Sequence, residues 1–106
     1  MRIKPGEVYQ VDLGLGGKVR YMVAVSKDDP DAPRALTICV PITTAYRGSV
    51  YEVRIGKPRF LQELSYANVQ GLQAVQHHEC STRIGTLDQS TMNKIKAALK
   101  YALELE

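Results

Sequence analysis

The sequence predicts a mainly β fold (α+β), with one helix at the C-terminus, in a single domain that spans residues 1–106. Between residues 6 and 76, apolar or alternating runs are separated by glycine, proline and aspartate clusters, as is typical of consecutive short strands. Between residues 88 and 105 there is neither glycine nor proline, and the apolar residues follow helical spacing. Short strands punctuated in this way indicate a small, curled, SH3-like barrel.

Five β segments are predicted from these runs. The run 18–26 is rich in β-branched residues and apolar enough to indicate a central strand. Pro41 cannot donate a ladder hydrogen bond, so its strand should bend or become an edge there. The segment 27–34 contains two prolines and three aspartates and is expected to be an exposed loop. The predicted strands are residues 6–14, 18–26, 35–43, 50–55 and 66–76, the last being one bent strand or two short strands around Gly71.

The C-terminal run from Asp88 to Leu105 predicts an amphipathic helix. Asp88 is a favourable N-cap residue because its carboxylate can accept a hydrogen bond from the first turn. Lysines occupy other positions than the apolar residues, as on a helix with one buried face. The apolar positions are Met92, Ile95, Leu99, Ala102 and Leu103.

Composition and charge limit the classes of function. The net charge is +3, and residues 1–60 contain ten Lys and Arg against six Asp and Glu, a net charge of +4. A basic half is compatible with a polyanionic partner, and equally with an ordinary solvated surface. Cys39 and Cys80 form no CxxC pair and read as small buried hydrophobes, so neither a metal nor another cofactor is expected. No apolar run reaches the roughly 20 residues of a membrane helix and the N-terminus has no signal-like apolar region, so we expect a cytosolic protein without a membrane partner.

A glycine cluster, Gly14, Gly16 and Gly17, precedes the second predicted strand and raises the possibility of a phosphate-binding loop. A Walker loop requires Ser or Thr after Gly-Lys, and this chain has Val19 there. A dinucleotide-binding loop should open a helix, whereas a β run follows here. The cluster is therefore predicted to be a hairpin turn that needs positive φ angles.

A few polar residues could carry chemistry. Arg20, at the start of an apolar strand, is either a paired or solvated charge or a ligand for phosphate oxygens. Thr43 and Thr44, at the end of another strand, are either simple β-formers or hydroxyls that help to hold an anion. His77 and His78 are either surface residues or acid–base groups active near neutral pH.

Four segments, in order along the chain, resemble the PemK/MazF toxins of toxin–antitoxin systems. "KPGEVYQVDLG" resembles the family's opening, GDI or GDV followed by DL, and "VRYMVAVS" resembles its arginine-led strand. "VPITT" resembles VPITS or VPITT in the family, and "RIGTLDQSTMNKIKAALKYALEL" resembles its closing helix. The resemblance covers nearly the whole chain.

This resemblance implies an SH3-like barrel with a C-terminal helix that acts as a homodimer and is inhibited by a cognate antitoxin protein. It further implies a metal-independent endoribonuclease that cleaves single-stranded mRNA by attack of the ribose 2′-hydroxyl on the adjacent phosphate. By motif match, the catalytic residues are Arg20 and Thr43. A preorganised guanidinium and hydroxyl suit this chemistry because negative charge accumulates on the phosphoryl oxygens.

The remaining RNA contacts are expected from polar residues near these motifs. The first loop is shorter than is usual in the family, Tyr21 replaces a proline, and Gln73 stands near the place of a second arginine. The alternative function is therefore a catalytically inactive barrel of the same family that binds nucleic acid or a protein partner. The predicted RNA-binding residues are Lys18, Thr44, Arg47, Gln73 and His77.

Overall fold

The computed structural model describes residues 2–14 and 19–106, and it contains seven β-strands and one α-helix in that part of the chain. Two short 3₁₀ turns, Val69–Gly71 and His77–Glu79, separate strands. The elements are β1 (Glu7–Asp12), β2 (Val19–Ala24), β3 (Leu36–Thr43), β4 (Glu52–Gly56), β5 (Ser65–Asn68), β6 (Gln73–Gln76), β7 (Cys80–Thr86) and α1 (Gln89–Ala102). The predicted class, mainly β with a C-terminal helix, is confirmed.

All strand pairs are antiparallel, and the main path through the sheet runs β4-β5-β3-β2-β1-β7, with β6 also paired to β3. The predicted central strand, β2, indeed lies between β1 and β3. In β2, Val23 points into one apolar cluster and Met22 and Ala24 into another. Its C-terminal half is therefore apolar on both faces because both faces are covered.

The strand β3 changes partner at Pro41. Residues Leu36–Cys39 pair with β6, and Ile42 and Thr43 pair with β5, while β2 pairs along the opposite edge. A proline fits this point because it has no N–H to leave unpaired where the ladder is interrupted. The backbone of Gly71 packs directly on the Pro41 ring, since a Cβ atom at Gly71 would lie 2.5 Å from Pro41 Cγ.

Two apolar clusters stabilise the sheet. The first packs the helix against one face and includes Val23 and Val40 of the sheet and Met92, Ile95 and Ala98 of the helix. The second lies on the other side of β2 and β3, and both cysteines are buried in it. Burial, with a smaller contribution from the nearby Cys80, raises the pKa of the Cys39 thiol to about 12. Cys39 is therefore a protonated packing residue at neutral pH, as the sequence indicates.

The helix begins as predicted and ends earlier. The Asp88 side chain accepts a hydrogen bond of 2.8 Å from the Thr91 N–H, which confirms the N-cap. The helix ends at Ala102, and Leu103 and Leu105 are exposed. Glu104 has a φ of 55°, and the Leu105 N–H donates to the Lys100 carbonyl, which is the hydrogen bond of a Schellman motif. No helix in the described part of the chain is long and apolar enough to span a bilayer.

Two strand predictions need adjustment. Of the two alternatives for residues 66–76, the two short strands are correct, because a 3₁₀ turn interrupts them at Val69–Gly71. The strand β7 was not predicted, since most of its residues are exposed and polar and show no period-two pattern. It forms because it pairs with β1, with two shifts of register. Of the three glycines in the predicted hairpin turn, Gly14 has the expected positive φ, 71°. Gly16 and Gly17 lie outside the described residues.

We expect Gly71→Ala to destabilise the protein by about 1–3 kcal/mol, because the new methyl group has to displace the Pro41 ring. Urea unfolding of the variant and of the unmodified chain measures the loss. Pro41→Ala removes the obstructing ring. Gly71→Ala should therefore lower the free energy of unfolding less in a chain that already carries Pro41→Ala than in the unmodified chain. Strictly additive losses would show that the Gly71–Pro41 contact is not responsible.

Candidate active site

An open depression of about 550 Å³ lies at the end of β3, beside β4 and β5. It brings together three of the predicted site residues, Arg20 from β2 with Thr43 and Arg47 from the end of β3 and the loop that follows it. The polar residues that complete its lining are Ser49, Tyr51, Glu52, Asn68 and Gln70.

The register of the sheet explains why Arg20 and Thr43 meet. Met22 pairs with Pro41 in the β2–β3 ladder, so two further steps in the same register place Arg20 opposite Thr43. The β2–β3 ladder ends at Met22 and Pro41, and beyond it Thr43 pairs with Tyr66 of β5 on the other edge of β3. The opening between the diverging strands forms the depression, and Arg20 lines its β2 side.

Arg20 is exposed, as are its neighbours Val19 and Tyr21, and the strand becomes buried only from Met22 onward. Both ion pairs found among the described residues use other arginines, Arg2 with Asp28 and Arg83 with Glu7. In the described part of the chain, the Arg20 guanidinium therefore has no carboxylate within 4.0 Å. Such a group can offer two parallel N–H donors to a phosphate.

The Thr43 hydroxyl oxygen is held by the backbone of the turn that follows it. Its Oγ1 accepts a hydrogen bond of 3.0 Å from the Ala45 N–H, in the local pattern typical of Ser and Thr in turns. Because that bond uses an oxygen lone pair, the hydroxyl proton remains available for donation into the depression. The strand end and the turn together fix the position of this donor.

The loop after β3 is held by Glu52, which sequence analysis did not single out. Its carboxylate accepts hydrogen bonds from the Arg47 N–H (2.9 Å), the Ser49 N–H (3.0 Å) and the Ser49 hydroxyl (2.7 Å). The hydrogen bond from the Ser49 hydroxyl is the main reason that the pKa of Glu52 lies below its usual value. Ser49 and Glu52 have the S-x-x-E spacing of a capping box, in which the Glu side chain reaches back to the Ser backbone N–H, and this spacing could have identified the contact.

Asn68 and Gln70 are two further lining residues that the sequence analysis missed. The Asn68 side chain accepts a hydrogen bond from the Gln70 N–H (3.1 Å), which shapes the turn after β5. No local pattern connects this turn with Arg20. The connection exists only because β5 pairs with both β3 and β4.

The other predicted RNA-binding residues lie elsewhere. Thr44 lines a neighbouring depression of about 230 Å³ together with Tyr21, and Thr43 is common to both depressions. Gln73 Nε2 lies 3.9 Å from Met22 Sδ, outside the Arg20 depression. Lys18 lies outside the residues that the structure describes.

The histidines do not line the depression that contains Arg20. His77 borders a different depression of about 270 Å³, beside the loop before β3 and the start of that strand, and its backbone N–H donates to the Ala35 carbonyl. His78 Nε2 lies 2.6 Å from the Gln76 side-chain oxygen. Among the described residues, no group of three or more His, Cys, Asp or Glu side chains could hold a metal ion.

The fold and the site define a small antiparallel β protein with a cationic, hydroxyl-bearing depression suited to a phosphate group. Residues 4–103 match the sequence model of the PemK-like, MazF-like toxins of type II toxin–antitoxin systems, and the chain belongs to this family. The predicted family is therefore confirmed.

Relatives of known identity agree with this assignment. The chain is 32% identical over 100 residues to endoribonuclease MazF4 of Mycobacterium tuberculosis, which covers 94% of this chain and 91% of the relative. It is 29% identical to a mycobacterial endoribonuclease solved in complex with its cognate antitoxin, with a TM-score of 0.83 over 97% of this chain and 96% of that one. The MazE–MazF structure from Deinococcus radiodurans, 13% identical with a TM-score of 0.82 and coverage of 100% and 99%, shares the fold.

We expect Glu52→Gln to destabilise the protein at pH 7 but much less at pH 3. A carboxylate whose folded pKa is lowered stabilises the protein above its ordinary pKa of 4.5, and this contribution is lost as the pH falls through the folded value. Thermal unfolding at both pH values measures the effect. Glu63→Gln is the control, because Glu63 is exposed and its carboxylate accepts no hydrogen bond from the described residues. An equal loss at both pH values would contradict the prediction.

Proposed function

We propose that this chain is the toxin of a toxin–antitoxin system and a metal-independent endoribonuclease that cleaves single-stranded mRNA in the Arg20 depression. The observation that carries the proposal is the meeting of Arg20, Thr43 and Arg47 in one open depression. The activity is that of its relative MazF4, an endoribonuclease with which this chain aligns over 94% of its length.

The proposed reaction needs no group other than those of the RNA and the protein. The ribose 2′-oxygen attacks the adjacent phosphorus and loses its proton, and the bond from phosphorus to the 5′-oxygen of the next nucleotide breaks. That oxygen takes up a proton, so the products are a 2′,3′-cyclic phosphate and a 5′-hydroxyl. His77 and His78 lie outside the depression, so the proposal gives neither histidine a part in this proton transfer.

Arg20 and Thr43 stabilise the transition state. Negative charge grows on the non-bridging phosphoryl oxygens, and both side chains offer donors that are positioned before the reaction begins. Arg20 supplies charge and paired N–H groups, and Thr43 supplies the proton of a hydroxyl whose oxygen is already held by Ala45. Neither role requires a metal ion.

Arg47 binds the RNA backbone beside the reacting phosphate. The backbone N–H of Arg47 donates to the Glu52 carboxylate, so the backbone that carries the Arg47 guanidinium is held in a defined position. Thr44, which lines the neighbouring depression, is proposed as a contact to a flanking nucleotide, and so are Lys18, Gln73 and His77. Gln73 offers hydrogen bonds but no charge, so it contributes less to phosphate binding than an arginine would.

The partners of the family are proposed for this chain as well. A structural relative was solved with its cognate antitoxin, and we propose a homodimer that is inhibited by an antitoxin bound over its basic face. The proposed location is the cytoplasm, because the substrate is mRNA.

We expect Arg20→Ala to reduce RNA cleavage by about 10²–10³-fold or more, the usual cost of removing one preorganised donor. The assay uses antitoxin-free protein, long single-stranded RNA and EDTA. The downstream cleavage fragment should accept a 5′-phosphate from polynucleotide kinase without prior dephosphorylation, because it begins with a 5′-hydroxyl. Thr43→Val should also reduce the rate, since it removes the hydroxyl at nearly constant volume.

Arg59→Ala is the matched control, because Arg59 is an exposed arginine that does not line the depression. It should leave the rate of cleavage nearly unchanged. A fully active Arg20→Ala variant would disprove the assignment of Arg20. RNA binding by the unmodified chain, without cleavage under any condition, would favour the alternative, an inactive barrel that only binds nucleic acid.

A further inference from the structure

Two tyrosines form a parallel stack between the loop after β3 and strand β5. The ring centroids of Tyr46 and Tyr66 are 4.2 Å apart and the ring planes differ by only 6°. Tyr66 is 9% exposed, whereas Tyr46 is 52% exposed. One face of the Tyr46 ring is thus packed against a buried partner, and the side chain remains accessible from the other side.

The sheet register places this stack beside the candidate catalytic threonine. Thr43 pairs with Tyr66, so the two side chains lie on the same face of the sheet with Cβ atoms about 4.5–5.5 Å apart. Tyr46 stands between Ala45 and Arg47 in the loop, and both of these neighbours line the depression. The accessible ring is therefore connected to Thr43 in two ways, through its stack on Tyr66 and through its place between two residues that line the depression.

The surrounding contacts hold the ring in place. On the N-terminal side of Tyr46, the Ala45 N–H donates to Thr43. On the C-terminal side, the Arg47 N–H donates to Glu52. The backbone amides on both sides of Tyr46 are hydrogen-bonded, and one face of its ring is packed on Tyr66. The Tyr46 ring is therefore preorganised, so little conformational entropy is lost when a ligand stacks on it.

The chemistry of this region matches a nucleotide. Arginines next to a hydroxyl suit the phosphate, and an accessible aromatic face suits an unstacked base, which is how single-stranded RNA is commonly held. We propose that Tyr46, backed by Tyr66, forms a nucleobase-stacking subsite for a nucleotide adjacent to the phosphate at Arg20 and Thr43. This inference rests on the proposed function, because it assumes that RNA occupies the depression.

The subsite contributes affinity and position rather than sequence choice, because every base offers a π face. Tyr46→Leu removes the aromatic face, and Tyr46→Phe keeps it. The probes are single-stranded 2′-O-methyl oligoribonucleotides, which cannot be cleaved because the attacking hydroxyl is blocked. Each probe carries 2-aminopurine at one position, and stacking on an aromatic ring quenches its fluorescence.

We expect quenching at one defined position with the unmodified chain and with Tyr46→Phe, and its loss with Tyr46→Leu. The affinity of Tyr46→Leu should fall by about 5-fold to 150-fold, which corresponds to about 1–3 kcal/mol for one stacked base. The slope of log affinity against log salt should not change, because the phosphate contacts remain. Leu105→Ala, which alters an exposed apolar residue beyond the end of the helix and outside the lining of the depression, should leave affinity and quenching unchanged.

Unchanged quenching and affinity in Tyr46→Leu would overturn this inference while leaving the catalytic proposal intact. The same holds if Tyr46→Leu alters the sedimentation coefficient, because the ring then faces a second copy of the chain rather than RNA. A probe that does not bind to the unmodified chain at low salt would overturn both proposals. Loss of cleavage in Arg20→Ala together with normal quenching would separate catalysis from stacking.

Discussion

The change of partner along β3 is the constraint on which the rest of the structure depends. This one strand pairs with β2 along one edge and with β6 and then β5 along the other. Pro41 marks the point of change, where a residue without an N–H leaves no donor unpaired. Gly71 allows the chain to pass directly against the proline ring. The depression opens just beyond this point, where the β2–β3 ladder has ended.

Two carboxylates stabilise separate parts of the sheet. Glu7 accepts hydrogen bonds from the Lys4 N–H, the Tyr9 hydroxyl and the Arg83 guanidinium, and so joins the N-terminal segment, β1 and β7. Its burial alone would raise its pKa, but these hydrogen bonds outweigh burial and leave the pKa below its usual value. Glu52 binds the backbone of the loop after β3 in a similar way. One carboxylate thus stabilises the framework and the other the functional loop.

Local patterns predicted the elements that bury an apolar face. The helix followed from its spacing and from Asp88, and β2 from its apolar run, because burial imposes the pattern on the sequence. The sequence of the edge strand β7 shows little hydrophobic pattern, since most of its side chains face solvent, and the strand was therefore not predicted. The helix end was also misplaced, because Glu104 adopts a left-handed conformation for which glycine is the usual signal.

The sequence by itself determined the class of fold, the family and two candidate catalytic residues, Arg20 and Thr43, through motifs in a recognisable order. Only the tertiary structure decided which polar residues share a site with them. Arg47, Asn68 and Gln70 line the same depression, whereas His77 does not. The physical reason is strand pairing: contacts across β2, β3 and β5 join residues 15 to 25 positions apart, and no local spacing records which strands become neighbours.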